Sequence, residues 1–294
     1  MGTLGFDLLA LQLFAGVALG AIYVLLAIGL SLIFGMLTVV NFAHGAFFMF
    51  GAYAGVFLAA RGASFWASLI AVPLIVGAFG LLVERFLIRP LYGRGIDYPL
   101  LLTFGLAYMM VEGIRIAFGT LGLPFDTPES LQGATDIGIG FFPTYRLFVI
   151  GATAAILLGL WLFLERTRYG LIIRAGARDP QIVRVLGVDV SRVWLLVFGL
   201  GTGIAGLAGL LAAPLQGVSP EMGGPVLAEA FVVTVVGGMG SLLGAVVAGL
   251  LVGVTVALTS LFVPEMAKVS IFALMAVVLL VRPQGLFGRP GLLS

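Results

Sequence analysis

One imidazole is present in this sequence, His44. It stands three residues after the carboxamide of Asn41, in a stretch that is otherwise apolar or small: VVNFAHGAFFMFGAY, Val39 to Tyr53. A neutral imidazole donates from one nitrogen and accepts at the other, and a carboxamide does both. The pair can therefore hold backbone at a crowded junction, contact a polar group on a passing solute, or relay a proton. Helical geometry would put i and i+3 on one face, and Gly45 would let a neighbouring helix approach closely. A relay is disfavoured because no carboxylate lies nearby in sequence. A metal site is disfavoured further, with one histidine and no cysteine. Four other polar residues lie in apolar surroundings. Glu112 and Arg115 have the spacing of an ion pair near the end of a helix. Glu229 and Thr234 are candidates for lining a path.

What these groups do depends on their solvent. The chain has 294 residues, of which 61% are hydrophobic and 10% charged, against about 25% charged in ordinary soluble domains. With 15 Lys and Arg and 13 Asp and Glu, it cannot cover a water-facing surface. Apolar runs of about 20 residues recur, the length that crosses a hydrocarbon core of roughly 30 Å. They do not alternate as barrel strands must. The sequence thus predicts an all-α polytopic membrane protein with about eight transmembrane helices, and no nucleic-acid partner. The first residues carry no basic group ahead of the apolar stretch and do not read as a cleaved signal peptide.

Apolar spans fall at about 8–33, 37–60, 64–83, 98–118, 146–164, 193–215, 226–262 and 267–281. Segment 84–97 carries Arg85, Arg89 and Arg94. Segment 165–192 carries Arg166, Arg168, Arg174, Arg178, Arg184 and Arg192. Segment 119–145 has no basic residue but has Asp126, Glu129 and Asp136. Basic loops stay in the cytoplasm, so 84–97 and 165–192 are expected inside, and 119–145 and the N-terminus outside. The run 226–262 is too long for one crossing and is interrupted by GGMGS, Gly237 to Ser241. A broken or re-entrant glycine-rich element near 226–245 is expected. Whether the run crosses once or twice, and so which side holds Arg282 and Arg289, stays open. No second domain is visible.

The 43 glycines suit lipid, where small residues let helices pack closely. Gly201, Ala205, Gly209 and Ala213 lie four apart; so do Ser241, Ala245, Gly249 and Gly253, and Gly240, Gly244 and Ala248. GTGIAG, Gly201 to Gly206, matches the dinucleotide fingerprint. That motif needs a preceding strand, and here it lies inside a span, so it reads as a packing face.

Within the basic segment, RAGARDPQIVRVLGVDVSR (Arg174 to Arg192) encodes a short helix. Asp179 suits the N-cap, Pro180 the first turn and Gly187 the C′ position. Ile182, Val185 and Leu186 share one face, with Gln181 and Arg184 elsewhere. A helix of about two turns is marginal alone in water and needs a surface to dock on. Anionic headgroups or a groove on a cytoplasmic partner would each serve.

Three stretches carry a family resemblance. GLSLIFGMLTVVNFAHGAFFMFGAY, RAGARDPQIVRVLGVDVSRVWLLVFGLGTGIAGLAGLLAAP and VVGGMGSLLGAVVAGLLVG resemble, in order and at matching spacing, the permease subunits of branched-chain amino acid ABC importers. The chain is nearer the shorter of the two permeases that pair in those systems. The resemblance implies one permease domain over 1–294, with a cytoplasmic coupling segment at 165–192. It implies a multi-pass protein of the cell (inner) membrane that is not itself an enzyme. It implies as partners a second homologous permease, two cytoplasmic ATPase subunits that bind ATP and Mg, and an extracytoplasmic solute-binding protein. The solute would be a branched-chain or other amino acid, an amide or a small carboxylate. Asp179, Pro180, Ile182, Arg184, Val185, Leu186 and Gly187 would couple the chain to its ATPase. Asn41, His44, Gly45, Glu229 and Thr234 would hold helix junctions or line the path. The alternative is a secondary transporter or channel that works alone. An intramembrane enzyme would need a nucleophile and base or a set of metal ligands, and neither H-E-x-x-H nor G-x-S-x-G is present.

Overall fold

A computed structural model describes residues 2–37, 40–95 and 97–288. Its eleven α-helices are α1 (Gly2–Leu37), α2 (His44–Ala60), α3 (Phe65–Val83), α4 (Asp97–Phe118), α5 (Thr144–Arg166), α6 (Arg168–Arg178), α7 (Pro180–Val185), α8 (Val190–Gln216), α9 (Gly223–Gly237), α10 (Leu242–Phe262) and α11 (Ala267–Val281). Strands β1 (Ala134–Asp136) and β2 (Phe141–Pro143) form a small antiparallel ribbon, with Thr135 opposite Phe142. Among the described residues, seven helical stretches are long and apolar enough to cross a membrane, and α2 and α9 are shorter apolar helices. The chain is an all-α polytopic membrane protein.

The chain divides into two compact units, each built from separate segments. One comprises 1–28, 126–156 and 229–294; the other comprises 29–125 and 157–228. In the first, α1 and α10 meet through glycines. A methyl group on Gly16 would lie 2.8 Å from the Val254 Cα, and one on Gly253 would lie 2.4 Å from the Gly20 Cα. In the second, α8 packs against both α2 and α3. A methyl on Gly209 would lie 1.9 Å from the Phe48 carbonyl oxygen, and one on Gly203 would lie 2.8 Å from that of Pro73. GTGIAG is thus wholly helical and in close contact with neighbouring backbone, as its packing reading requires. Where hydrocarbon gives little drive between helices, this closeness supplies the dispersion contacts that hold them.

Two expectations are corrected, and a third is met. The span expected to end at residue 83 runs on as a π-helical turn (Glu84–Ile88) and a 3₁₀ turn (Arg89–Leu91), so Arg85 and Arg89 are helical rather than part of a loop. This turn coincides with the side-chain pairing described below, in which Glu84 is buried. The span expected from 37 starts as a helix only at His44, because Asn41 makes a turn instead. The run 226–262 is two helices, α9 and α10. The GGMGS interruption falls where the sequence places it, with Gly238 at φ +98° and Ser241 accepting from Gly244 N–H at 3.1 Å as the N-cap of α10. At fifteen residues α9 is about 22 Å long, short of a hydrocarbon core. The C-terminal Arg289 lies outside the described residues.

Candidate functional site

The basic segment folds as α6 and α7 between the ends of α5 and α8. Thr167 caps α6, accepting from Gly170 N–H at 3.1 Å. The Asp179 carboxylate caps α7, accepting from Gln181 and Ile182 N–H at 2.9 and 3.0 Å. Pro180 occupies the first turn. Gly187 ends the helix at φ +80°, a left-handed value that suits glycine because it has no Cβ. The helix is shorter than two turns, six residues, with Leu186 closing it. Its buried side chain is Val183, whereas Ile182, Val185 and Leu186 are 60%, 87% and 75% exposed. Three large apolar side chains stand in the open on one side of a well-capped turn. Helix α6 has no counterpart in the sequence reading, although Thr167 followed by an amphipathic stretch signals it.

Beside this segment lies a polar cluster that the sequence reading missed. Glu84 is fully buried. Arg89 grips its carboxylate with two donors, Nε to Oε1 at 3.2 Å and Nη2 to Oε2 at 3.0 Å, and the Tyr92 hydroxyl donates to Oε1 at 2.8 Å. Arg89 Nη2 also donates to the Ser191 carbonyl, at 3.0 Å, in the first turn of α8. The backbone N–H of Arg89 donates to the Glu84 carbonyl, an i→i+5 bond that swings both side chains to one side of the helix. Burial, and the Glu84 carboxylate beside it, hold the Tyr92 phenol above its ordinary range, so it remains a proton donor. The Tyr92 ring meets Trp194 edge-on at 4.8 Å between centroids, and the Arg184 guanidinium of α7 lies 5.7 Å over the Trp194 ring. The available signal was Glu84 itself, a carboxylate closing an apolar run five residues ahead of an arginine.

Asn41 and His44 are both fully buried, but they do not share a helix. Asn41 precedes α2, where its Oδ1 accepts from Ala43 N–H at 3.1 Å and its carbonyl accepts from His44 N–H at 3.2 Å. An asparagine that bonds its own backbone two residues on makes a turn and offers an alternative to helix. Its Nδ2 has no partner among the described residues. His44 opens α2, and its ring lies against α1: a methyl on Gly29 would be 3.1 Å from both Cε1 and Nε2. Gly45 faces the start of α9, where an added methyl would lie 2.1 Å from the Gly223 carbonyl oxygen. These three residues therefore sit where α1, α2 and the first turn of α9 meet.

Glu229 and Thr234 belong to the other unit. The Tyr23 hydroxyl of α1 hydrogen-bonds the Glu229 carboxylate, and Lys268 lies close enough to attract it. Thr234 is buried and donates to the Ala230 carbonyl of its own helix at 2.8 Å. Glu112 and Arg115 do pair, at 2.5 Å, and Arg115 also reaches Glu221 at 2.6 Å. That contact draws the end of α4 toward the link 217–222, beside the bridge in which Leu123 and Val218 exchange backbone bonds. Among the described residues, no group of three His, Asp or Glu converges as a metal site.

The architecture is that of a multi-pass helical membrane protein with a capped, apolar-faced helix in its most basic segment. The chain belongs to the family of permease components of branched-chain amino acid transport systems, whose model matches residues 12–279. It is similar to the high-affinity branched-chain amino acid transport system permease protein LivH of Salmonella typhimurium, with 32% identity over 293 residues and 95% of each chain covered. It is equally similar to BraD of Pseudomonas aeruginosa, the permease protein of a system of the same description, with 32% identity over 297 residues and 95% of each covered. LivM of Salmonella typhimurium, a further permease protein of the high-affinity system, is 31% identical over 293 residues, which span 90% of this chain but 67% of LivM. The chain is thus nearer in extent to LivH than to the longer LivM.

Proposed function

We propose that this chain is one permease subunit of an ATP-driven importer. It carries a branched-chain amino acid, or a related amino acid, amide or small carboxylate, from an extracytoplasmic binding protein into the cytoplasm. ATP and Mg are bound and hydrolysed by two cytoplasmic ATPase subunits, and the chain itself supplies no catalytic group. Its similarity to both LivH and LivM supports pairing with a second, homologous permease. Residence in the cell (inner) membrane follows from the same reading, with 165–192 inside and 119–145 outside. The observation that carries it is α7: its apolar side chains stand exposed on a helix too short to persist alone, in the segment richest in arginine. This is a docking element without its groove, and a cytoplasmic ATPase supplies one.

Purification from the native membrane should recover ATPase subunits with a Walker A motif and a second permease. Leucine uptake into sealed vesicles should need ATP on the side of 165–192. Uptake by the chain alone, without ATP, would overturn the proposal in favour of a secondary transporter or channel. For sidedness, Thr127→Cys should react with an impermeant thiol reagent in intact cells, and Ser191→Cys only after permeabilisation. The chain has no native cysteine to interfere. The reverse pattern would invert the topology.

A further inference from the structure

We infer that Glu84, Arg89, Tyr92, Trp194 and Arg184 form a rigid linkage through which displacement of α7 is transmitted to the ends of α3 and α8. They are positioning residues for the transport step. The inference rests on the reading that an ATPase acts on α7.

The contacts form a closed circuit. Arg184 on α7 covers the Trp194 ring on α8, and Trp194 meets Tyr92. Tyr92 donates to Glu84 at the end of α3, Arg89 clasps Glu84, and the same Arg89 reaches back to the Ser191 carbonyl of α8. Two independent attachments thus tie the end of α3 to the first turn of α8, and one of them extends to α7. Further along, the same two helices touch closely: a methyl on Gly80 would lie 2.0 Å from Thr202 Oγ1, and one on Gly77 would lie 3.0 Å from the Gly199 carbonyl oxygen. The end of α3 and the start of α8 therefore move together or not at all.

Stability alone gives a poor reason for this arrangement. A buried ion pair pays for desolvation with most of its Coulombic attraction, and apolar residues of similar volume often do as well or better. A two-donor arginine clasp supplies direction instead, since its planar fork fixes the relative orientation of the groups it joins. The π-helical turn at Glu84–Ile88 is the backbone adjustment that aims it. Helix α7 otherwise buries only Val183 among its six residues. With the linkage, a push on Ile182, Val185 or Leu186 reaches α3.

The test has two arms. In the first, spin labels on Val185→Cys and Leu87→Cys of the full chain in nanodiscs report the distance from α7 to the π-helical turn. The otherwise unaltered chain should give one narrow distribution. Trp194→Leu and Glu84→Gln should broaden it, and Tyr92→Phe, which keeps the ring and removes only the hydroxyl, should broaden it less. An unchanged width in all three would overturn the linkage. In the second arm, the complex purified with its ATPases is assayed for radiolabelled leucine moved per ATP hydrolysed. The variants should hydrolyse ATP but move leucine less efficiently per ATP, by a factor on the order of 10. Arg89→Lys, which keeps the charge, should recover part of it. A purely structural role would lower hydrolysis and uptake together, and an unchanged ratio would overturn the inference. Leu186→Asp separates this from the parent reading. If it keeps normal solute-stimulated hydrolysis, the ATPase does not dock on α7 and the parent reading fails, while the spin-label arm still decides whether the linkage exists.

Discussion

Asn41 and His44 are polar and have no exposed surface; Ile182, Val185 and Leu186 are apolar and are 60–87% exposed. Both groups lie in the same compact unit, and each inverts what hydropathy dictates at its place. At the first, polar groups are buried among apolar helices, where each must find hydrogen bonds or cost free energy. At the second, large apolar side chains stand exposed on a turn in an arginine-rich segment, the feature on which the proposed docking role rests. A sequence consistent across levels breaks its own rules chiefly at sites of function or strain. The two inversions differ in what completes them. The buried pair is answered in part from within: Asn41 Oδ1 accepts from the Ala43 amide, and the His44 ring packs against Gly29. Among the described residues, nothing covers the exposed face.

Substitutions can break this comparison from either side. The largest effect is expected at Gly45→Leu. A Cβ there would lie 2.1 Å from a backbone oxygen of Gly223 and 2.8 Å from Leu227 Cβ, so helices must separate. Overpacking of a tight core costs about 1–3 kcal/mol or more. Little folded permease should survive detergent extraction, and near-normal yield and uptake would refute the junction. Next is Leu186→Asp, which should abolish uptake and ATPase co-purification while leaving the permease as stable as before. An exposed substitution moves stability by no more than about 0.5 kcal/mol. If thermal unfolding collapses as well, the face is part of the fold rather than a docking surface.

Intermediate effects belong to the buried pair. His44→Leu removes both ring nitrogens from a sealed position and should cost about 1–3 kcal/mol. Asn41→Leu should match it by freeing the Ala43 amide. His44→Gln should keep partial transport. A His44→Leu variant with normal stability and uptake per folded permease would show that the inversion has no consequence. If His44→Gln is inactive while assembled and coupled, and uptake follows a proton gradient, a relay is operating instead.

The smallest effect is expected at Glu221→Gln. The Arg115 hydrogen bond holds the Glu221 carboxyl below its ordinary range, so its contribution to stability is present above the ordinary carboxylate pKa of about 4.3. It is lost as pH falls through the lowered folded value. From pH 8 to 6 the difference in unfolding temperature between Glu221→Gln and the parent chain should not change. At pH 7 it should be no more than about 2 °C, because exposed pairs contribute little. A larger gap would make this pair a working part of the protein.

Most of the fold was legible because lipid simplifies the code. Span length, small-residue stripes and capping residues act locally, so the ends of α7, the start of α10 and the packing of GTGIAG followed from residue type and spacing. Tertiary choices were not legible. The Asn41 turn won over helix because a short amide finds its own backbone before it finds a neighbour, and no periodicity reveals that. Glu84 was hidden for a related reason. As sequence it is one acid among the arginines of a basic stretch. Its importance comes from an i→i+5 turn that places Arg89, Tyr92 and Ser191 around it, and that turn has no pattern of its own. Arg115 shows the same limit: Glu112 was readable at i−3, but Glu221, more than a hundred positions away, was not.

The end of α9 is closed by residues far along the chain. Its last carbonyls, at Val236 and Gly237, accept from the backbone N–H groups of Leu286 and Phe287 at 2.8 and 3.0 Å. A helix terminus cannot be left open in a dry interior, yet the segment that seals this one is translated about fifty residues later. At about 5–20 residues per second, that is a wait of roughly 3–10 s. During that interval the carbonyls of Val236 and Gly237 lack the backbone partners that close them in the folded chain. A chain that stopped at Arg282 would contain every helix from α1 to α11 but not this seal.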